Sequence, residues 1–279
     1  PSTPALNSPD PTGLAAVRRL PPAVVSDFRR IFELAELTLL FPWAVRAEVA
    51  QFEMDAGVAD PTLHDLTGVP FVTIDNEDSR DLDQALHIAR EGRGYLVRYA
   101  LADASYYVRP GTALFAEALR RGTSYYLPRL SVPMLPRVLS EGLISLNPKV
   151  LRRALVFEMH LDETGEATHT DILRARIRSR AKLSYSGVQW FHDAPRYNRL
   201  AGKPYSESLL LLREVGDRRR ALARARHVVD FLRDDTVVDI VPGRVPRYTV
   251  RSAPRNNVSR WNEQVSVLCN MEGGRLLLG

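Results

Sequence analysis

Apolar residues follow a helical spacing at the start of the chain and form strand-like runs after it. Residues 22–36 carry apolar side chains three and four positions apart, behind a proline suited to a first helical turn. Residues 43–54 predict a second helix, so we assign residues 1–68 to a helical N-terminal region. Within it, residues 1–13 are rich in proline and serine and are expected to be disordered.

From Phe71 onward the apolar pattern favours short strands separated by turns. Residues 71–74, 85–90 and 95–101 are predicted to be neighbouring strands of a small sheet. The pattern further predicts two hairpins, within residues 154–179 and 235–251, and two long helices, over residues 206–229 and 258–278. Ser206 is expected to cap the first of these helices, and the adjacent glycines 273 and 274 to weaken the second.

The loop between the first two of these strands is unusually acidic. Five of the nine residues from Asp75 to Asp83 carry carboxylates, against one arginine. Such crowding is unfavourable unless a cation joins the carboxylates, and a hard divalent cation such as Mg²⁺ takes oxygen ligands. Asp103, after the third strand, is near enough in a sheet to join this cluster. A solvated acidic loop is the plain alternative.

Other metal sites fail against the residues present. An EF-hand loop beginning at Asp75 needs glycine at its sixth position and glutamate at its twelfth, where this chain has Arg80 and Leu86. The six histidines and the single cysteine lack zinc-ligand spacing. What remains is an all-oxygen site from Asp75, Asp81 and Asp83, where two metal ions could activate a water and stabilise a leaving oxygen.

Charge is distributed unevenly along a chain of ordinary globular composition. The net charge is +5, and residues 174–260 hold 20 Lys and Arg against 8 Asp and Glu. A basic segment of this kind suits a nucleic acid or another polyanion, although solvated arginines are the plain alternative. The single cysteine and the absence of a long apolar run predict a cytoplasmic protein with no membrane partner.

Four segments together resemble the catalytic domain of the ribonuclease II and ribonuclease R family. Residues 73–86, TIDNEDSRDLDQAL, are similar to the family's acidic signature. Three further segments, within residues 100–105, 123–136 and 178–185, are similar to other family motifs and occur in family order with near-family spacing. The four motifs are far more specific together than the acidic loop is alone.

This resemblance implies an α+β fold, with mixed β-sheets flanked by helices around an RNA channel. It assigns residues 69–279 to the catalytic domain. It also implies a Mg²⁺-dependent 3′-to-5′ exoribonuclease that hydrolyses single-stranded RNA to nucleoside 5′-monophosphates. Asp75, Asp81 and Asp83 match metal-binding aspartates of the family, and Asp81 and Asp83 are the expected catalytic residues.

The resemblance extends to RNA contacts and shows two departures. Tyr126 matches a tyrosine that contacts RNA outside the catalytic pocket, and Tyr185 matches one that packs on the last base beside the scissile phosphate. Gln84 stands where the family usually has a fourth aspartate, and its carbonyl could ligate a metal without adding charge. The chain stops at Gly279, inside the catalytic domain of the family, so the remaining C-terminal part of that domain is an expected partner.

Two other functions stay open at this point. Gln84 and the missing C-terminal part favour a module that grips single-stranded RNA without cutting it. A basic interaction protein with an acidic surface loop is the second alternative, and four ordered motifs weigh against it. Mononucleotide release from RNA in the presence of Mg²⁺ separates the enzyme from both alternatives.

Overall fold

The structure is a computed structural model that describes residues 17–228, 235–241, 243, 246–253 and 255–278. The disorder expected for residues 1–13 lies outside this described part. Contacts divide the chain into two compact units. The first takes in the chain up to Ala56, with Ser105–Leu143 and Asp235–Ala253; the second takes in Gly57–Ala104, Ile144–Asp234 and Pro254–Gly279. The domain boundary after residue 68 stays a prediction.

Seven α-helices and eleven strands occur in the described residues. The helices are α1 Pro22–Leu34, α2 Trp43–Met54, α3 Ala104–Tyr107, α4 Ala113–Arg121, α5 Tyr185–Asp193, α6 Ser206–Ala225 and α7 Asn257–Leu278. The strands are β1 His64–Asp65, β2 Val72–Asp75, β3 Gln84–Glu91, β4 Gly94–Ala102, β5 Tyr125–Leu127, β6 Leu130–Val132, β7 Arg152–Leu161, β8 Ala167–Ile177, β9 Ala181–Ser184, β10 Asp235–Val241 and β11 Arg247–Ala253.

The second unit is built on a seven-stranded sheet in the order β1-β8-β7-β4-β3-β2-β9. The central strands are antiparallel neighbours, which follows from the short turns that join β3 to β4 and β7 to β8. The two outermost strands, β1 and β9, pair in parallel with β8 and β2. The predicted mixed sheet with flanking helices is therefore confirmed, whereas the RNA channel stays an expectation.

Alternation along the strands buries both faces of this sheet. One face packs against α5, α6 and α7 in a large apolar cluster that includes Tyr99, Phe157, Leu212 and Trp261. The other face carries a smaller cluster around Phe71, Leu82 and Ile177. The helix contact is close, because Gly216 of α6 lies directly against the Trp261 ring of α7.

The first unit has its own small core. Val24 and Phe28 of α1 are buried together with Leu130 of β6 and Ile240 of β10. The antiparallel pair β5 and β6 carries Tyr126, and β10 pairs with β11.

One local prediction is wrong. Ser206 does not cap α6, since Tyr205 holds the capping position; the Ser206 hydroxyl instead accepts a hydrogen bond from Lys203 N and donates one to Leu200 O. α7 continues through the adjacent glycines 273 and 274 to Leu278, and the weakening expected from them stays a prediction. None of the helices that the structure describes is long and apolar enough to cross a membrane.

Candidate functional site

The acidic loop lies at one edge of the seven-stranded sheet. β2 ends at Asp75, and its parallel neighbour β9 ends at Ser184, in register with Asp75. β3 pairs antiparallel with β2 and begins at Gln84, directly after Asp83. The ends of β2 and β9 and the start of β3 therefore meet at the same edge, which places residues 76–83 beside the first turn of α5.

Side chains of β9 and α5 hold the first half of this loop. Lys182 donates from Nζ to the carbonyl oxygens of Glu77, at 2.8 Å, and Ser79. The hydroxyls of Ser184 and Ser186 donate to Glu77 Oε1 at 3.4 and 3.2 Å. The loop thus keeps its shape through neutral hydroxyls and one ammonium group, despite its crowded negative charge.

Buried groups fix the second half of the loop. The fully buried hydroxyl of Ser145 donates to Arg80 O at 2.8 Å and accepts from Leu82 N at 2.9 Å. Asp83 O accepts from Ala102 N of β4 at 2.9 Å. The backbone on which Asp81 and Asp83 stand is therefore tied to the interior of the unit.

The carboxylates of Asp75 and Asp81 affect the ionisation of Asp83. The pKa of Asp83 is raised to about 6, mainly by desolvation and in addition by the nearby carboxylates of Asp81 and Asp75. Asp83 is nevertheless exposed. The desolvation therefore comes from protein atoms that crowd the carboxyl group and weaken the hydration of its charged form. Asp75 Oδ1 accepts hydrogen bonds from Asn76 N at 2.7 Å and Ser79 Oγ at 2.9 Å.

The chemistry of these groups suits a hard divalent cation. Carboxylate oxygens are the ligands that Mg²⁺ prefers, and a cation would relieve the repulsion that, after desolvation, contributes to the raised pKa of Asp83. Among the described residues, however, no three His, Cys, Asp or Glu side chains are arranged to hold a metal ion. Asp75, Asp81 and Asp83 are thus neighbours with a suitable donor set, and their role as metal ligands stays a prediction.

Gln84 faces the helices rather than standing alone beside the carboxylates. Its Oε1 accepts a hydrogen bond from the hydroxyl of Tyr99, on β4. Tyr99 is almost fully buried in the cluster between the sheet and α7. The side-chain oxygen that Gln84 would offer to a metal ion therefore already accepts a hydrogen bond from a buried tyrosine.

The two tyrosines expected to contact RNA lie in different units. Tyr185 is the first residue of α5, capped by Ser184, and it packs half-buried against the apolar cluster beside the acidic loop. Tyr126 of β5 belongs to the first unit, and its side chain is 70% exposed. The structure therefore brings Tyr185 to the sheet edge that carries the aspartates.

Asp103 does not join the acidic cluster as a metal ligand would. Its buried carboxylate pairs with Arg153 Nε at 3.2 Å. Arg153 also donates to Gly57 O at 2.6 Å and to Asp60 Oδ2 at 3.2 Å. Asp103 thus neutralises a buried arginine that ties three segments of the second unit together.

Sequence reasoning missed the residues that hold the loop. Lys182 and Ser184 fall inside the motif at residues 178–185, which was a usable signal for Lys182 in particular. Ser145 and Tyr99 carry no such signal, because their partners are distant in sequence and their environments are apolar.

Comparison with known proteins extends these observations. A family model of the RNB domain matches residues 63–276. Ribonuclease R of Vibrio cholerae is 37% identical over 216 residues, which are 76% of this chain and 26% of that protein. Ribonuclease R of Escherichia coli is 34% identical over 248 residues, which are 87% of this chain and 30% of that protein. The chain thus spans between a quarter and a third of the length of these relatives.

A solved structure shares the fold. RNase R of Mycoplasma genitalium, in complex with ribose methylated single-stranded RNA, matches 88% of this chain and 38% of that chain with a TM-score of 0.80 at 24% identity. All four motif segments recognised in the sequence fall within the residues that the family model matches. The resemblance is confirmed, and the chain belongs to the RNB domain family.

Proposed function

We propose that this chain carries the acidic site of a Mg²⁺-dependent 3′-to-5′ exoribonuclease that hydrolyses single-stranded RNA to nucleoside 5′-monophosphates. The observation that carries the proposal is the meeting of Asp75, Asp81 and Asp83 at one sheet edge, beside the tyrosine that begins α5. The similarity of this chain to ribonuclease R proteins supports the proposal. Because they are about three times as long as this chain, the activity is proposed for the protein that contains this chain.

The aspartates are expected to act as ionised ligands. With a pKa of about 6, Asp83 is mostly a carboxylate at pH 7 and can hold a cation together with Asp81 and Asp75. Mg²⁺ in that position would supply a bound water of lowered pKa and would stabilise charge on the phosphate. Hydrolysis there would form a bond from a water oxygen to phosphorus and break the bond to the 3′ oxygen of the preceding nucleotide. The water would lose a proton, the 3′ oxygen would gain one, and the terminal nucleotide would leave as its 5′-monophosphate.

The tyrosines are expected to position the strand. Tyr185 adjoins the carboxylates through the pairing of β2 and β9, so its ring is suited to pack against the terminal base. Tyr126 offers an exposed ring for a base farther along the strand. Stacking is tolerant of base identity, which an enzyme that removes one nucleotide after another requires.

The test is removal of the charge at Asp83. Asp83→Asn should slow the stepwise shortening of a 5′-labelled single-stranded RNA at least about a hundredfold, because a lost ligand costs several kcal/mol of transition-state stabilisation. RNA affinity in filter binding should stay within about threefold, since neutralising one carboxylate beside a polyanion does not weaken attraction. Asp78→Asn is the matched control, an exposed carboxylate of the same loop. Cleavage by Asp83→Asn at the wild-type rate would refute the proposal.

A single-stranded RNA-binding module is the second candidate. It is favoured by Gln84, which lacks the charge of an aspartate and whose carbonyl oxygen is engaged by Tyr99. On this reading the wild-type protein binds RNA and releases no mononucleotides at any Mg²⁺ concentration. The same assay therefore decides between the two candidates.

A further inference from the structure

A series of hydrogen-bonded polar side chains, buried or half-buried, runs behind the acidic loop, and the hydrogen bonds between them are not used in the function proposed above. It begins at Gln84, the residue after Asp83. Gln84 pairs with Leu101 in the ladder between β3 and β4, so Tyr99, two residues from Leu101, is its diagonal neighbour on the same face. The Tyr99 hydroxyl donates to Gln84 Oε1.

This series continues into α7. The side chain of Ser266 on α7 lies close enough to the Tyr99 hydroxyl to oppose, through a hydrogen bond, part of the rise in pKa that burial causes. Asn262 lies one helical turn before Ser266 and therefore on the same face of α7. Asn262 Nδ2 donates to the Tyr185 hydroxyl at 3.4 Å. One turn of α7 thus links Gln84, the residue after Asp83, to Tyr185, which lies at the same sheet edge.

The hydroxyl of Tyr99 and the carbonyl of Gln84 are a matched hydrogen-bond donor and acceptor. Burial raises the pKa of Tyr99 far above its ordinary value, so the hydroxyl keeps its proton and needs an acceptor. The glutamine carbonyl supplies that acceptor without a charge. A carboxylate at the same position would add negative charge next to Asp83, where Asp81 and Asp75 already disfavour ionisation.

We propose that Gln84 and Tyr99 are positioning residues: the hydrogen bond between them anchors the start of β3 so that Asp83 is held at a fixed place relative to Tyr185. The proposal deepens the proposed function and rests on it. In this proposal the side-chain oxygen of Gln84 binds the Tyr99 hydroxyl instead of a metal ion. Neither residue touches the reacting atoms, and both act through the backbone on which Asp83 stands.

The test compares the same substitution, tyrosine to phenylalanine, at two positions of β4 in the full-length chain. Tyr99→Phe removes the hydroxyl that binds Gln84. Tyr95→Phe is the matched control: Tyr95 is equally buried on β4, but its hydroxyl bonds to Glu214 at 3.1 Å and Arg218 at 2.7 Å, away from the loop. Thermal unfolding of both variants measures any general loss of stability.

Two readouts separate positioning from mere stability. Tyr99→Phe should lower kcat about tenfold while KM for a short oligoribonucleotide stays within about twofold, since binding contacts remain. Mn²⁺ affinity, measured by electron paramagnetic resonance without RNA, should fall about threefold or more. Tyr95→Phe should change neither quantity. Wild-type kcat and Mn²⁺ affinity in Tyr99→Phe would overturn the proposal.

A double-mutant cycle tests whether Gln84 and Tyr99 act through each other. Gln84→Met removes the acceptor at nearly constant volume, and the double variant should be no more impaired than either single variant. Additive losses would show that the two residues act separately and would overturn the proposal. So would a Gln84→Met defect in Mn²⁺ affinity that Tyr99→Phe lacks, because it would identify Gln84 as a ligand.

Failure of the proposed function gives a different result. If the wild type releases no mononucleotides, the enzyme is refuted, and the Mn²⁺ affinities alone decide whether Tyr99 positions Asp83. If the wild type also binds no Mn²⁺, both proposals fail.

Discussion

Asp83 is held where its negative charge is unfavourable. Its backbone is fixed to β4 through Ala102, and its neighbours in the loop are carboxylates. A folded-state pKa of about 6, against an ordinary value of 3.8, means that the folded chain takes up this proton more readily than the unfolded chain does. Protonation of Asp83 therefore stabilises the fold as the pH falls from about 6 to about 4, and the carboxylate costs stability at pH 7.

The charge at Asp83 should therefore be visible in thermal stability. In EDTA at pH 7, Asp83→Asn should raise the midpoint of unfolding by about 2 °C, a modest gain because the side chain is solvent-exposed. The gain should shrink as the pH falls through 6 and disappear near pH 4, where the wild-type residue is itself protonated. Melting curves between pH 4 and 8 measure this, with Asp78→Asn as the control. A gain that is independent of pH would contradict the assigned cause.

At the scale of elements, the contact between α6 and α7 controls how well the helices cover the sheet. A Cβ added at Gly216 would lie 2.5 Å from Trp261 Cβ and 2.6 Å from Cδ1. The indole cannot retreat easily, because its Nε1 donates to Asp217 Oδ1 at 2.8 Å. The absence of a side chain at residue 216 is thus what lets the two helices approach.

Gly216→Ala should lower the free energy of unfolding by about 2 kcal/mol, since overpacking outweighs the gain in helix propensity. Gly274→Ala is the matched control, because that glycine lies in α7 with no atom within 4 Å of an added Cβ. The control should be neutral or more stable by up to about 1 kcal/mol. Urea denaturation measures both, and equal stability of the two variants would exclude the packing argument.

The same elements show which parts of the fold could be predicted from the sequence. The strands around the acidic loop were predicted to within two residues, because local alternation and turns encode antiparallel neighbours. The partner of β2 on its other side could not be predicted. β9 pairs with it in parallel, and Lys182 lies 105 positions from Glu77, a contact that no local pattern specifies.

The site shows a similar division at the level of single residues. Asp75, Asp81 and Asp83 could be chosen because they lie in one short segment and belong to a recognisable motif. Ser145 could not, because a serine fully buried behind the loop has the same sequence signature as any other serine. The Ser206 prediction failed because a local capping pattern ignored the competing backbone groups of Leu200 and Lys203.

At the scale of the whole molecule, net charge favours a polyanionic partner. The chain carries a net charge of +5, and residues 174–260 alone hold 12 more basic than acidic side chains. Affinity for single-stranded RNA should fall with salt at a slope of roughly −3 on logarithmic axes if about four phosphates are contacted. Between 50 and 200 mM salt the affinity should therefore drop about fiftyfold in filter binding. A salt-independent affinity would show that the basic segment does not contact RNA.

The late pairing of β9 has a consequence for the order of folding. β2, β3 and β4 can associate as soon as they are made, because each contact closes a short loop of chain. Lys182, whose ammonium group donates hydrogen bonds to two backbone carbonyls of the acidic loop, is synthesised about a hundred residues later. On the ribosome the carboxylates thus emerge long before their anchor. The site can therefore acquire its final shape only after the long loop between β2 and β9 has closed.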